Sequence, residues 1–303
     1  MDDKIKKLVP RLMQVLNSSN KKLSFMMQLF NKVSSRCSRI TTSCYSTSFS
    51  SAIKLLDKSI QQDIHNIYGF VRFTDEIVDT FHEHDKELLL TEFKKQTFDA
   101  IERGISINPI LQSFQSTVNF YNIERSLVEV FFRSMEIDLR QKKHDVNTLN
   151  DYIHGSAETV GLLCLKVFCN NDLKLYEELA HHARSLGAAF QKVNFLRDIK
   201  NDVVNLERVY FPKCDFLNFT LAQKTAIENN IQKDFDDAYK GILQLPLTAR
   251  TGVYVAYKYY LSLFKKIRKT KPQKIMQKRI RIPNYSKLLI LFKASVRTQF
   301  NML

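Results

Sequence analysis

Two acidic helical faces constrain this chain more than any other feature. Residues 191–202 read QKVNFLRDIKND. At about 100° per residue, Gln191, Asn194, Asp198 and Asp202 fall within an arc of roughly 80° on one side of a helix. Lys192, Arg197 and Lys200 stand beside that line. Two amides and two carboxylates in a row repel one another unless something cationic sits on them. Residues 68–79, YGFVRFTDEIVD, repeat the design, with Tyr68, Arg72, Asp75 and Asp79 on one face. The other side of that helix carries Ile60, Ile64, Ile67, Phe70, Val71, Ile77 and Val78. It is therefore predicted to lie among neighbours, where an unneutralised acidic pair is costly. Two such helices, facing one another, frame a site for hard divalent cations. Mg²⁺, with Mn²⁺ as a substitute, takes oxygen ligands, keeps several waters and is usually completed by phosphate oxygens.

The surrounding sequence predicts helices almost throughout. Only 7 Gly and 6 Pro interrupt 303 residues, 44% of them apolar, with 22 Phe and no Trp. That suits one large all-helical domain with a core of its own. Residues 1–22 are expected to be a flexible N-terminal extension, a frayed end or a weak interfacial helix, and 23–303 a single helical domain. Residues 25–39 read as a short helix, followed by a Ser/Thr-rich loop or cap at 41–48 whose hydroxyls and N–H groups can meet an anion. Ser59 is expected to cap the helix over about 60–82. Further helices are predicted at about 86–103, 108–121, 124–141, 148–168, 173–205, 220–243, 247–270 and 284–300. Phe131, Phe132, Met135 and Leu139 have core spacing, the alternative being the wall of an apolar channel. Gly155, Ala157 and Gly161 let another helix, or a long ligand, come close. His82, His84, His154, His181 and His182 read as structural.

Charge is distributed unevenly. The net charge is +15, yet no acidic residue follows Asp237. Residues 238–303 hold 15 Lys and Arg, which leaves 31 basic against 31 acidic residues in the rest. Such an end can be a solvated helical surface, or can face anionic lipid or a diphosphate. Nucleic acid is not expected as a partner, because no zinc-finger spacing, RNP-like motif or Gly-rich basic tail accompanies the charge. The five cysteines, Cys37, Cys44, Cys164, Cys169 and Cys214, are odd in number and form no CxxC. They read as buried thiols in a reducing compartment, and zinc is not expected. No apolar run reaches the ~18 residues of a membrane span. The first residues lack the apolar stretch of a signal peptide. The expectation is a cytoplasmic protein, with peripheral contact on the inner face of the membrane as an option.

The acidic stretches also carry a family resemblance. YGFVR with DEIVD (68–72, 75–79) resembles the first aspartate-rich motif of the squalene/phytoene synthase family, and QKVNFLRDIKNDVVNLERVYFP (191–212) resembles the second. YSTSFSSA (45–52) is similar to its S-x-S-F element, Tyr152 with GSAETVG (155–161) to its central motif, and Tyr260 to a C-terminal tyrosine. The matches follow family order over roughly residues 37–290, and their wording most resembles bacterial phytoene synthases. The resemblance implies an all-α isoprenoid-synthase bundle around a central cavity. It implies head-to-head condensation of two prenyl diphosphates, here two geranylgeranyl diphosphates giving phytoene through a cyclopropylcarbinyl (prephytoene) diphosphate, for carotenoid synthesis. By position, Asp75, Asp79, Asp198 and Asp202 would hold Mg²⁺ on the diphosphates, with Gln191 and Asn194 orienting substrate or completing the metal shell. Ser46, Arg72 and Arg208 would meet diphosphate oxygens, with Ser48 also at the substrate. Phe49, Tyr68 and Tyr152 would line the reacting centre, and Tyr260 would touch substrate. Glu76 stands where relatives often have Asp and is expected behind the metal ligands. No nucleotide fingerprint argues for NADPH, and a downstream desaturase is an expected partner. Two alternatives stand beside this reading. One is a squalene or dehydrosqualene synthase using farnesyl diphosphate. The other is a non-catalytic relative serving as a lipid-binding or assembly factor.

Overall fold

The computed structural model describes residues 3–141, 143–204, 208–212, 214, 219–277 and 279–299, with only the backbone of 3–22, 201, 284, 292, 295, 296, 298 and 299. Its helices, in order, are α1 (Asp3–Tyr45), α2 (Thr47–Ile53), α3 (Lys58–Asp79), α4 (Lys86–Arg103), α5 (Pro109–Phe120), α6 (Arg125–Arg140) and α7 (Val146–Ile153). A π-helical turn (His154–Glu158) leads into α8 (Thr159–Cys169), followed by α9 (Leu173–Val204), α10 (Leu221–Gln244), α11 (Leu247–Arg268), α12 (Pro272–Ile275) and α13 (Asn284–Gln299). Among the described residues there is no strand, only an isolated bridge between Lys143 and Val209.

Local chemistry sets these boundaries. Asp85, Asn108, Asp145 and Thr220 each accept a backbone N–H at the start of α4, α5, α7 and α10, a cap worth about 1 kcal/mol. Pro109 occupies the first turn of α5, where its missing N–H costs nothing. Gly104 ends α4 in a left-handed conformation at φ 68.

Four local expectations are corrected. Of the five cysteines expected to be buried, only Cys169 is, and Cys44 is exposed. The Ser/Thr run at 41–45 is the last part of α1 rather than a loop. Its hydroxyls fold back on the preceding turn: Thr41 Oγ1 donates to the Cys37 carbonyl and Thr42 Oγ1 to that of Ser38, both at 2.9 Å. Ser59 does not cap α3. Asp57 does, and its carboxylate accepts both the N–H and the hydroxyl of Ser59, at 2.9 and 2.6 Å. The single helix expected over 148–168 is broken by the π turn, where the Thr159 N–H and hydroxyl both reach the His154 carbonyl.

The core has an aromatic centre at one end. Phe70 stacks on Phe114 at 3.8 Å and meets Phe131 and Phe132 at 5.4 and 5.6 Å. Phe131 and Phe132 are thus core, as their spacing suggests, whereas Met135, one turn on, reaches the wall of the central cavity. That cavity, of about 490 Å³, runs between α2, α3, α8, α9, α10 and α11. Glycine allows its walls to close up. A Cβ on Gly187 would lie 2.4 Å from the Ala157 carbonyl oxygen, and one on Gly161 2.6 Å from that of Ala183. The small residues of 155–161 therefore admit a neighbouring helix.

Candidate active site

Both acidic helices deliver their predicted faces to one end of the cavity. From α3, Tyr68, Arg72 and Asp75 line the mouth; from α9, Gln191, Asn194 and Arg197 do so opposite them. Asp79, Asp198 and Asp202 do not line the cavity; they lie one or two turns further along the same faces. Arg208 joins the two helices: its backbone N–H donates to the Asp202 carbonyl at 2.7 Å, and its guanidinium to Asp79 at 2.8 Å. Burial and neighbouring carboxylates push Asp75 up to about 8, Asp79 being the nearest charged cause. Asp202 rises to about 7, through burial and then Asp198. Carboxylates crowd here faster than cations neutralise them.

Asp198 is differently placed. Arg197 holds it at 2.6 Å and Arg279, from the basic C-terminal segment, at 2.7 Å. Arg279 also lines the cavity. On the other side, Arg72 pairs with Glu76, one turn along α3, and lies 4.4 Å over the Tyr45 ring. Its Nε is buried without a partner. A buried guanidinium N–H left unbonded at the mouth of a cavity is a ready donor to an anion.

Below the mouth the wall becomes aromatic. Phe49 sits 5.9 Å from both Tyr68 and Tyr260, and Tyr260 stacks on Phe190 at 3.9 Å. Tyr260 donates to Asn194 at 3.3 Å, so the C-terminal tyrosine is wired to the second acidic face. Tyr152 lines the same space with its ring stacked on Tyr210 at 5.4 Å. Ser46 caps α2, accepting from the Phe49 N–H at 3.2 Å, and so fixes where the Phe49 ring points. Deeper still, Ile53, Leu56, Leu165, Phe168 and Leu245 make an apolar tunnel.

Two of the expected substrate contacts lie off this wall. Ser48 is half-buried on α2, on a side that does not line the cavity. Arg208 is buried behind the mouth, its charge taken by Asp79 and, at 3.3 Å, Asp138. Three residues singled out by the structure are absent from the sequence-based site. Asp138 on α6 is buried, accepts from the Tyr210 hydroxyl at 3.3 Å, and is pushed up to about 6, first by burial. A carboxylate in step with Phe131 and Met135 on the buried face of α6 was its one visible signal. Arg197 had none beyond its place beside the acidic line, and Arg279 none among so many basic neighbours.

The all-oxygen donor set suits Mg²⁺ rather than zinc. Among the described residues, no three of these carboxylates bring ligand atoms within 4.8 Å of one another. An ion that keeps waters and shares phosphate oxygens needs only one or two carboxylates each. The cluster that does meet that distance is His181, His182 and Asp237, between α9 and α10, with His182 also reaching the cavity wall. There His182 and Ser185 already bond one Asp237 oxygen, at 3.0 and 2.8 Å, which fits the structural role expected of His182.

Comparison with known proteins follows the same lines. The family model described as Squalene/phytoene synthase matches residues 43–286. A presqualene diphosphate synthase of Rhodopseudomonas palustris is 29% identical over 168 residues, covering 55% of this chain and 58% of that protein. A phytoene synthase of Arthrospira platensis is 24% identical over 289 residues, covering 87% and 92%. A 4,4'-diapophytoene synthase of Staphylococcus haemolyticus is 25% identical, covering 63% and 66%. Among solved structures, a dehydrosqualene synthase superposes with a TM-score of 0.74 at 18% identity, over 90% of this chain and 98% of that one. A squalene synthase from Alicyclobacillus acidocaldarius superposes at 0.68 and 20% identity, over 78% and 94%. The fold is the isoprenoid-synthase helical bundle.

Proposed function

Because the chain belongs to the squalene/phytoene synthase family, whose members join two prenyl diphosphates head to head, we propose that it catalyses this condensation with Mg²⁺. The substrate we assign is geranylgeranyl diphosphate, and the product phytoene, made through a cyclopropylcarbinyl diphosphate. One observation carries the reading. The two acidic helices meet at the mouth of a single cavity whose body is aromatic and apolar.

Each residue class has a task in this reaction. Asp75, Asp79, Asp198, Asp202 and Asn194 would hold Mg²⁺, which when bound neutralises the departing diphosphate and so eases ionisation. Arg72 offers its unpartnered Nε to the same oxygens, and Arg197 and Arg279 stand ready across the mouth. Binding of the diphosphate would draw both from Asp198, leaving that carboxylate to the metal. Phe49, Tyr68, Phe190 and Tyr260 turn rings toward the region where an allylic cation forms, and π faces stabilise positive charge without trapping it. The apolar tunnel excludes water that would quench the cation. Gln191, which accepts from Asn194 at 3.4 Å, orients that amide. The final proton passes to the released diphosphate, so no side-chain base is assigned.

A second reading rests on the relatives, which include presqualene and diapophytoene synthases. It differs only in chain length, with two farnesyl diphosphates as substrates. Purified chain supplied with Mg²⁺ and labelled farnesyl or geranylgeranyl diphosphate tests both. A forty-carbon hydrocarbon from the longer substrate supports the assignment. A thirty-carbon product transfers it to the second reading. Absence of diphosphate release from either substrate would leave a binding protein instead.

A further inference from the structure

The end of the chain presents an uncovered surface beside the cavity mouth. In α13, Tyr285, Leu288 and Leu289 are 70%, 69% and 54% exposed. Their i, i+3, i+4 spacing places them in one stripe. The stripe continues into exposed Lys293 and Arg297, each one turn further along. The other side of the helix is anchored. Ala294 is buried, and Lys287 donates to Thr47 Oγ1 of α2 at 3.1 Å. α2 carries Phe49 and Ile53 into the cavity wall, so α13 stands against an element of that wall. Arg279, five residues before α13, is itself at the mouth.

The segment that leads into α13 carries charge of one sign. Lys271, Lys274 and Arg281 are exposed, and Lys266 donates to the Arg281 carbonyl at 2.7 Å, which gathers the end of α11 into the same region. Among the described residues of 238–303, Arg279 alone is paired with a carboxylate. Large apolar side chains held in water on a helix that also exposes unpaired cations, after a basic segment, match one partner chemistry. An anionic bilayer accepts leucine and tyrosine at its acyl boundary and lysine and arginine at its headgroups. A nucleic-acid backbone would use the cations but leave Leu288 and Leu289 without purpose.

We infer that the outward face of α13 and the basic residues flanking it form a docking surface for anionic membrane, which sets the cavity entrance close to the bilayer. The docking rests on α13 itself; only its use, passing oily chains between bilayer and cavity, rests on the proposed condensation.

The test is binding of the full chain to vesicles, read by co-sedimentation, with diphosphate release from detergent-dispersed substrate measured separately. Vesicles of phosphatidylcholine containing about a third phosphatidylglycerol should bind the chain at least about tenfold more tightly than phosphatidylcholine alone, and added salt should weaken that binding. Leu288→Ser with Leu289→Ser, and separately Lys293→Glu with Arg297→Glu, should each weaken it by about tenfold and leave release in detergent unchanged. The inference is overturned if the unmodified chain ignores anionic vesicles, or if both double variants bind as it does. Loss of release in every sample would instead strike the condensation, because vesicle binding is read without it.

Discussion

At the scale of single residues, the mouth of the cavity is a problem in electrostatics that bound ligands would solve. Asp198 is clasped by Arg197 and Arg279, so Asp198→Asn would remove the proposed metal ligand and release two guanidinium groups at once. Turnover should fall by about two or more orders of magnitude, in line with the loss of a group that stabilises transition-state charge. The circular dichroism spectrum should be unchanged. Near-normal turnover would remove the metal role. Asp75 and Asp202 make a second prediction. Burial and neighbouring carboxylates hold both well above the carboxylate value of 3.8. The folded chain therefore binds more protons than the unfolded chain between about pH 4 and pH 8, and stability falls as pH rises through that window. In EDTA, the thermal midpoint should drop between about pH 5.5 and pH 8. A midpoint that climbs over this range would show that the carboxylates are already neutralised within the chain.

At the scale of elements, most helices were legible, and so were the reasons for the exceptions. Lys86–Arg103 and Leu247–Arg268 carry apolar spacing bounded by Asp85 and Gly104, or by Pro246 and the basic last turn, all visible in one dimension. The extension of α1 through Thr41–Tyr45 was not legible, because serine and threonine serve a loop and a helix equally well until the i−4 carbonyl is present. The π turn was equally hidden. Close packing of the π turn on α9 brings another prediction. The Cβ of Gly187→Ala would meet a backbone carbonyl at 2.4 Å, and backbone cannot swing aside as a side chain can. The substitution should cost about 1–3 kcal/mol, typical of overpacking, and lower the thermal midpoint by several degrees. An unchanged midpoint would show that the π turn and α9 separate more readily than their contact implies.

At the scale of the whole molecule, the two ends of the cavity do different work. The mouth gathers charge from α3, α9 and the segment before α13, while the floor is made by α2, α8, α10 and α11. If the mouth takes a diphosphate with Mg²⁺, the pair should stabilise the native chain by mass action. Inorganic diphosphate and Mg²⁺ together should raise the thermal midpoint by several degrees, each alone raising it less. Equal shifts with and without diphosphate would mean that the ion binds elsewhere.

The sequence by itself determined the all-helical class, the two carboxylate faces and their amide and arginine companions. These are periodic properties, and a helix turns spacing along the chain directly into position on a face. Tertiary structure decided which groups from distant elements meet those faces. Asp138 on α6, Arg279 before α13 and the Arg208 bridge to Asp79 have no fixed spacing from the acidic lines. Their roles exist only because packing brings α6 and the C-terminal segment to the same mouth. The same holds for Tyr152 and Tyr260, whose rings reach the cavity because of how their helices cross.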